Sequence, residues 1–315
     1  MKLIFYHENC NDGLIAAMVT GSAFKNEECI YASLNYSRDV YQNAMKALLQ
    51  FGTIKDIIFV DFGPDEETIK YILSHNITAT IVDHHKTFAD KFANFFNNYP
   101  YGIHDYKIVV KDAFTFNYAG AITYHYDVNK CGSTLAYEVF HEKEYLKNGM
   151  PTLLKYIEDR DLWLNKMQPE TDYISEAIRY EEDYIRSKFN TGDIYSYNTL
   201  ESLKNKGRHY SKYKYNIIDN TVAYWDRNKT YIHVNGTKIP AICYPLFQSE
   251  IGNIIAKEYK ICCVYNVDLF KNLITISFRS TDKSARLFAE LFDGGGHDNA
   301  AGAKITIDKF KSILM

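Results

Sequence analysis

The first hundred residues alternate short β-branched apolar runs with longer amphipathic segments, and this alternation restricts the fold more than any other feature of the chain. KLIFYH (2–7), ECIYASL (28–34), DIIFVDF (56–62) and TATIVDHH (78–85) read as strands. DGLIAAMVTGSAF (12–24), DVYQNAMKALLQF (39–51) and DEETIKYILSHN (65–76), which lie between them, read as helices. Strands separated by helices of this length pair in parallel through crossovers, so the expected fold is an α/β sheet covered by helices on both faces.

Beyond residue 86 the pattern weakens. Residues 94–127, rich in Tyr, Phe, Asn and Asp, read as an irregular or hairpin insertion. CGSTLAYEVFHEKEYL (131–146) and PTLLKYIEDRDLW (151–163) read as helices, the second with Pro151 at a first-turn position. Residues 175–216 are polar and helical in character. From about residue 220, TYIHVNGTKIPAICY, KICCVYNVD and LITISFRS are strand-like runs divided by Asn- and Asp-containing turns. RLFAELFDGGGHDNAAGAKI (286–305) then supplies a helix, a glycine loop and a last strand. The expected organisation is a mostly parallel α/β domain over 1–190, a helical linker over 191–219 and a smaller α+β domain over 220–315.

Composition narrows the function classes. The chain has 315 residues, 46% of them hydrophobic and 24% charged, as in a soluble protein of about two domains. Its formal net charge of −3 excludes a polybasic nucleic-acid coat and suits a small anionic partner held by a local basic site. No apolar run approaches the roughly 18 residues of a membrane span, and a strand-like segment starts directly after Met1. A cytoplasmic protein without membrane association is expected. The six cysteines show no C-x-x-C spacing, so neither a zinc ribbon nor a disulfide framework is expected.

The chemistry-bearing residues fall at the strand ends. His7 closes the first strand with Asp12 five residues later, Asp61 closes the third, and Asp83, His84 and His85 close the fourth. In an open parallel sheet, ligands bind in the crevice beyond the carboxyl ends of the strands, where these side chains would converge. Singly, each is more often a cap or a turn residue. Carboxylates with neutral imidazoles suit Mn²⁺ or a related divalent ion, and one carboxylate can bridge two ions about 3.5–4 Å apart. Asp61 is the central candidate, and YIEDRDLW offers a further acid in Asp159 or Asp161.

In order, HENCNDG (7–13), VDF (60–62), VDHHKT (82–87), IEDRDLW (157–163) and GGGHDNAAG (294–302) resemble the motifs of the DHH phosphoesterase superfamily. The branch is the one with a DHHA1 substrate domain, which includes RecJ-like and oligoribonuclease-like enzymes, and the resemblance spans nearly the whole chain. It implies that His7 and Asp61 hold one Mn²⁺ and that Asp12, Asp61, His84 and Asp159 hold another, with Asp61 bridging. Asp159 is preferred because it follows the apolar-x pair Ile157-Glu158; Asp161 is then structural. His85 would contact phosphate or the leaving group, and Asp83 would orient a ligand.

The chain departs from the family at Cys10, where an aspartate is usual. A Cys10 thiolate would draw a softer ion such as Zn²⁺ or Fe²⁺, whereas a neutral thiol would leave that ion site weaker. Mg²⁺ is a further alternative. Asn9 would hydrogen-bond substrate or stabilise the turn.

The glycines Gly294, Gly295 and Gly296 would bring successive backbone N–H groups to a phosphate, with His297, Arg279 and Ser280 adding side-chain donors. CGSTLAY (131–137) resembles a family stretch near the active site, where Ser133 and Thr134 would touch substrate or cap a helix. KNKGRHYSKYKY (204–215) interleaves basic residues with tyrosines as single-strand binders do, though a solvated helix face explains it more simply. The function implied is two-metal hydrolysis of short single-stranded oligonucleotides or nucleotide phosphates, compatible with a homo-oligomer. The alternatives are a nucleic-acid-binding or assembly protein with a degenerate metal site, and a pyrophosphatase.

Overall fold

The computed structural model describes residues 1–34, 40–50, 54, 56–98 and 110–314, with the backbone alone at Val40, Tyr41 and His297. Both ends of the helix expected over 39–51, and residues 99–109 of the expected insertion, lie outside the described residues. The chain divides into two compact units, Met1–Ser211 and Lys212–Met315.

The first unit begins β1 (Lys2–His7), α1 (Asn11–Ser22), β2 (Cys29–Leu34), α2 (Val40–Gln50), β3 (Asp56–Val60), α3 (Glu66–Ser74), β4 (Thr78–Asp83) and α4 (Lys86–Asn98). A hairpin of β5 (Ala113–Tyr118) and β6 (Ile122–Asp127) follows. The helices α5 (Gly132–Phe140), α6 (Glu142–Asn148), α7 (Thr152–Asp161), α8 (Glu170–Tyr180) and α9 (Glu182–Thr191) complete it, together with the start of α10 (Tyr197–Arg227). The six strands form one sheet in the order β2-β1-β3-β4-β6-β5. Every neighbouring pair is parallel except β5 with β6.

Two apolar cores lie on the two faces of this sheet, as the period-2 alternation of strand side chains requires. Ile4, Ile58, Val60 and Val82 face a core built with α1, α5, α7, α8 and α9. Leu3, Phe5, Ile57, Phe59 and Ile81 face the opposite one, built with α2, α3 and α4. The β1, β3 and β4 strands are thus buried on both sides, and their polar ends are where the chain leaves the core.

The helix α4 was not anticipated. Its apolar face is formed by Phe88, Phe92, Phe95 and Phe96, at spacings of four, three and one, all buried. The single helix expected over 131–146 is instead two, because His141 leaves helical geometry between α5 and α6.

The second unit contains the end of α10, then β7 (Thr230–Val234), β8 (Thr237–Cys243), α11 (Gln248–Tyr259), β9 (Ile261–Asp268) and β10 (Leu273–Ser280). It closes with α12 (Ala285–Glu290), β11 (Gly295–His297), β12 (Ala300–Thr306) and α13 (Ile307–Lys311). Its sheet runs β11-β12-β10-β9-β8-β7, with β8 and β9 parallel and the other pairs antiparallel. The parallel pair needs a crossover, and the unanticipated α11 provides it. Among the described residues, no helix is long and apolar enough to cross a membrane.

Candidate metal centre

Four chain segments meet beyond the carboxyl ends of β1, β3 and β4. After His7, Asn9 takes a left-handed turn at φ 57° and Cys10 becomes the N-cap of α1. This puts Asp12 in the first turn, where its two oxygens accept hydrogen bonds from Gly132 N (2.5 Å) and Ser133 N (2.9 Å) at the start of α5. Asp61 ends β3 in a left-handed conformation, φ 52°, and donates its own N–H to Val82 O at 2.9 Å.

Two glycines make this convergence sterically possible. A Cβ on Gly13 would lie 2.6 Å from His7 O and 3.1 Å from Asp61 Oδ2. A Cβ on Gly132 would lie 2.6 Å from Asp61 Cβ and 2.9 Å from Asp12 Oδ2.

Asp61 is the hub. Its Oδ1 lies 3.2 Å from His84 Nε2 and 3.9 Å from His85 Nδ1, while Oδ2 lies 3.8 Å from His7 Nδ1. His84 Nε2 is also 3.5 Å from Asp161 Oδ2, and Asp83 Oδ1 holds His85 Nδ1 at 2.7 Å. Three overlapping groups have ligand atoms within 4.8 Å of one another: His7, Cys10 and Asp61; Asp61, His84 and His85; and Asp12, His84 and Asp161. Asp61 Oδ2 is buried with no hydrogen-bond partner among the described residues. A buried carboxylate oxygen in that state, among imidazoles and further acids, fits a divalent cation.

The electrostatics agree with that fit. Burial and then the Asp61 charge raise the Asp12 pKa. Burial, then Asp12 and Asp61, bring Asp161 to about 7. For His84, burial opposes protonation, but Asp61, Asp161 and Asp12 outweigh it and raise the pKa to about 10. For His85, burial is likewise outweighed by Asp83 and Asp61, giving about 9. Burial dominates at His7, whose pKa falls, and at Cys10, whose thiol is pushed well above its ordinary value. Without ions, the centre keeps itself tolerable by retaining protons.

The structure separates Asp159 from Asp161. Asp159, preferred on the sequence, points elsewhere: its oxygens accept from Lys166 N (2.7 Å), Met167 N (3.2 Å) and Thr171 Oγ1 (2.5 Å). Burial would raise its pKa, but those three hydrogen bonds hold it below the usual carboxylate range. It is Asp161 that reaches the cluster with Asp12 and His84.

Ser133 and Thr134 start α5 with their hydroxyls engaged. Ser133 Oγ lies 3.2 Å from Cys131 Sγ, and Thr134 Oγ1 donates to Glu158 Oε2 at 2.5 Å. Asn9 and Cys10 line both of two clefts. One, of about 310 Å³, is bounded by His7, Asp12, Asp161, Arg160, Trp163 and Arg179 among others; the other, of about 440 Å³, includes Tyr6, Glu8 and Ser33. The sequence reading missed Arg160, Trp163 and Arg179. The signal for the first two was in hand, since both belong to IEDRDLW.

In the second unit, Arg279 lies on β10 and donates to Phe278 O (2.8 Å) and Ser249 Oγ (2.9 Å). Ser280 is buried, its hydroxyl donating to Asp298 O and accepting from Ala285 N. The expected glycine loop is partly a strand, with Gly295, Gly296 and His297 paired to β12. A Cβ on Gly294 would meet Gly302 O at 2.2 Å, and one on Gly296 would meet Ala300 O at 2.6 Å, so close packing within the hairpin accounts for both. Gly295 has nothing within 4 Å of that position. The side chain of His297 lies outside the described residues. The basic-tyrosine segment 204–215 is within α10, where Lys206 and Tyr210 engage Glu181 and the buried Lys214 pairs with Glu250 at 2.6 Å.

No family model matches the sequence. The chain is 23% identical over 319 residues to the uncharacterized protein R106 of Acanthamoeba polyphaga mimivirus, covering 96% of this chain and 67% of that protein. Among solved structures, it is similar to the pGpG-specific phosphodiesterase PggH from Vibrio cholerae, with a TM-score of 0.48 and 12% identity over 99% of this chain and 95% of that one. It is also similar to RecJ from Thermus thermophilus in complex with Mn²⁺, with a TM-score of 0.47 and 11% identity over 99% of this chain and 50% of that one.

Proposed function

We propose that the chain is a metal-dependent phosphoesterase acting on short single-stranded oligonucleotides or nucleotide phosphates. The observation that carries this reading is the buried Asp61 carboxylate, with one oxygen toward His7 and the other toward His84. His7, Cys10 and Asp61 would hold one divalent ion, and Asp12, His84 and Asp161 a second, with Asp61 serving both. When bound, a pair of such ions, Mn²⁺ foremost, supplies charge stabilisation to a phosphoryl group and an activated water.

The chain's own groups do the rest. Asp83 fixes the His85 ring at the edge of the cluster, and a ring protonated at neutral pH can donate to a phosphate oxygen or to the leaving oxygen. Asp12 accepts the first N–H groups of α5, which fixes its carboxylate within the cluster. In the second unit, Arg279, His297 and the Gly295 backbone are proposed as phosphate contacts.

The test is a panel of labelled di- to decanucleotides, adenosine 3′,5′-bisphosphate and pyrophosphate, assayed with the Mn²⁺-loaded protein. Hydrolysis of the nucleotide substrates is expected, abolished by a chelator and by Asp61→Ala. Binding of oligonucleotides without cleavage, or cleavage of pyrophosphate alone, would refute the proposal.

A further inference from the structure

The segment IEDRDLW closes α7 and leads into the loop after it, and four of its residues have distinct surroundings. Asp161 turns into the ion cluster, and Asp159 turns the other way to anchor the backbone at Lys166 and Met167. The loop so fixed carries Trp163, which leaves the helix in a left-handed conformation at φ 53° and remains 49% exposed. The Arg160 guanidinium lies over its ring, 4.5 Å from the centroid. Arg160 and Trp163 border the 310 Å³ cleft that His7, Cys10, Asp12 and Asp161 also line.

A cation stacked on a surface tryptophan can be no more than local packing, since such pairs are common. Three features here go beyond packing. Half of the indole is left uncovered in a cleft shared with the ion ligands. A second cation, Arg179, lines the same cleft with its side chain half-exposed and its Nε 3.9 Å from Glu176 Oε2. The volume is at the low end of the roughly 300–1,000 Å³ range for small-ligand sites, enough for one nucleoside but not for a run of them.

We propose that this cleft is a nucleobase subsite, in which Trp163, backed by Arg160, stacks the base of the nucleotide whose phosphate lies at the ion centre, while Arg179 pairs with phosphate. The inference rests on the phosphoesterase reading for the placement of that phosphate, and it adds that the first unit itself selects for a base. Aromatic stacking is tolerant of base identity, so the subsite distinguishes nucleotides from base-free phosphates and does not read sequence. Because Asp12 and Asp161 share the cleft, nucleotide binding should require a divalent ion to offset their charge.

The sequence has two tryptophans. Trp225 is buried and hydrogen-bonded to Ala241 O in the second unit, which leaves Trp163 as the exposed reporter. With Mg²⁺ present, AMP should quench the intrinsic fluorescence, and ribose 5-phosphate at equal concentration should not. The quench should disappear in a chelator and in Trp163→Phe, although calorimetry on that variant should still detect AMP. Trp163→Ala should raise KM for a dinucleotide about ten-fold or more while leaving kcat and ion affinity within a few-fold, and Trp163→Phe should recover most of the KM. Unchanged fluorescence with AMP in a protein that hydrolyses dinucleotides would overturn the subsite, as would equal quenching by ribose 5-phosphate or an unchanged KM in Trp163→Ala. AMP quenching in a protein that hydrolyses nothing would keep the subsite and remove the phosphoesterase reading, so the two failures are distinguishable.

Discussion

Replacing Asp161 and Asp159 separately by asparagine should give opposite results, because the two carboxylates, two residues apart, occupy different electrostatic worlds. Burial, then Asp12 and Asp61, hold the Asp161 carboxyl at about 7 against an ordinary 3.8. At about 1.4 kcal/mol per ten-fold change in acidity, its ionised form costs the ion-free fold on the order of 2–4 kcal/mol, the Asp12 and Asp61 charges sharing in that cost. A folded carboxyl that is a weaker acid than the unfolded one carries no such cost below about pH 4; the cost grows through the range above and is complete beyond about pH 7. Asp161→Asn should therefore raise the Tm of the ion-free protein at pH 8 by several degrees and leave it unchanged near pH 4. The same change removes an ion ligand, and since lesser changes around metal sites cost 10–100-fold in affinity, a loss of about 100-fold is expected. At an ion concentration about 1,000 times the wild-type Kd, the ion stabilises the wild type by about 4.1 kcal/mol and this variant by only about 1.4 kcal/mol. Asp159→Asn should behave in reverse. It places an amide NH₂ against donors that now meet a carboxylate, costing about 2–4 kcal/mol, yet keeps the full ion-induced shift. Thermal denaturation with and without Mn²⁺, at pH 4 and pH 8, reads all four quantities. If Asp159→Asn abolished the ion-induced shift while Asp161→Asn kept it, the assignment of Asp161 to the centre would be wrong.

Two further outcomes concern the same centre. At pH 7 the ion-free site holds protons on His84 and His85, with pKa values of about 10 and about 9, so Mn²⁺ uptake should expel roughly one proton or more and the apparent affinity should climb with pH. Calorimetry in buffers of different ionisation enthalpy counts them, and a count of zero would contradict the ligand role of His84. Cys10→Asp should shift ion preference from Zn²⁺ toward Mn²⁺, because carboxylate oxygen replaces sulfur within reach of His7 and Asp61. Competition binding of the two ions measures this, and an unaltered preference would leave Cys10 a buried thiol.

The sequence exposes the ends of parallel strands well, and the candidate residues that meet there were legible for that reason. His7, Asp61 and His84 follow apolar runs that only a doubly covered strand explains, and their convergence needs nothing beyond the sheet. The acid from α7 was harder, since a helix lets two residues of one motif point in different directions. Helical spacing does not separate the two: Asp161 follows Ile157 by four and Leu154 by seven, but Asp159 follows Tyr156 by three and is itself buried. The helix α4 was obscured by the aromatic, Asn-rich character of the region after residue 94, although its Phe88, Phe92, Phe95 and Phe96 pattern is amphipathic. In the second unit, Ile251 and Ile255 mark the buried face of α11 at a spacing of four, a weaker signal than the β-branched runs on either side.

The glycines show why the remaining geometry could not be read from motif spacing alone. Gly13 follows Asp12 directly and can be recognised beside it, but its requirement arises from His7 O and Asp61, which approach from two other strand ends. Gly132 is 71 positions after Asp61 in sequence and 2.6 Å from it by the Cβ that it lacks. That absence allows α5 to direct its first N–H groups onto Asp12, and the positive end of the helix then partly offsets the rise in its pKa that burial and Asp61 cause. Three carboxylates can therefore be brought into one dry crevice at a cost that the fold bears without ions, and the same residual repulsion is what a pair of cations would relieve. Asp161, which burial, Asp12 and Asp61 hold at about 7, carries that repulsion, so its replacement should stabilise the protein without ions and weaken its affinity for them.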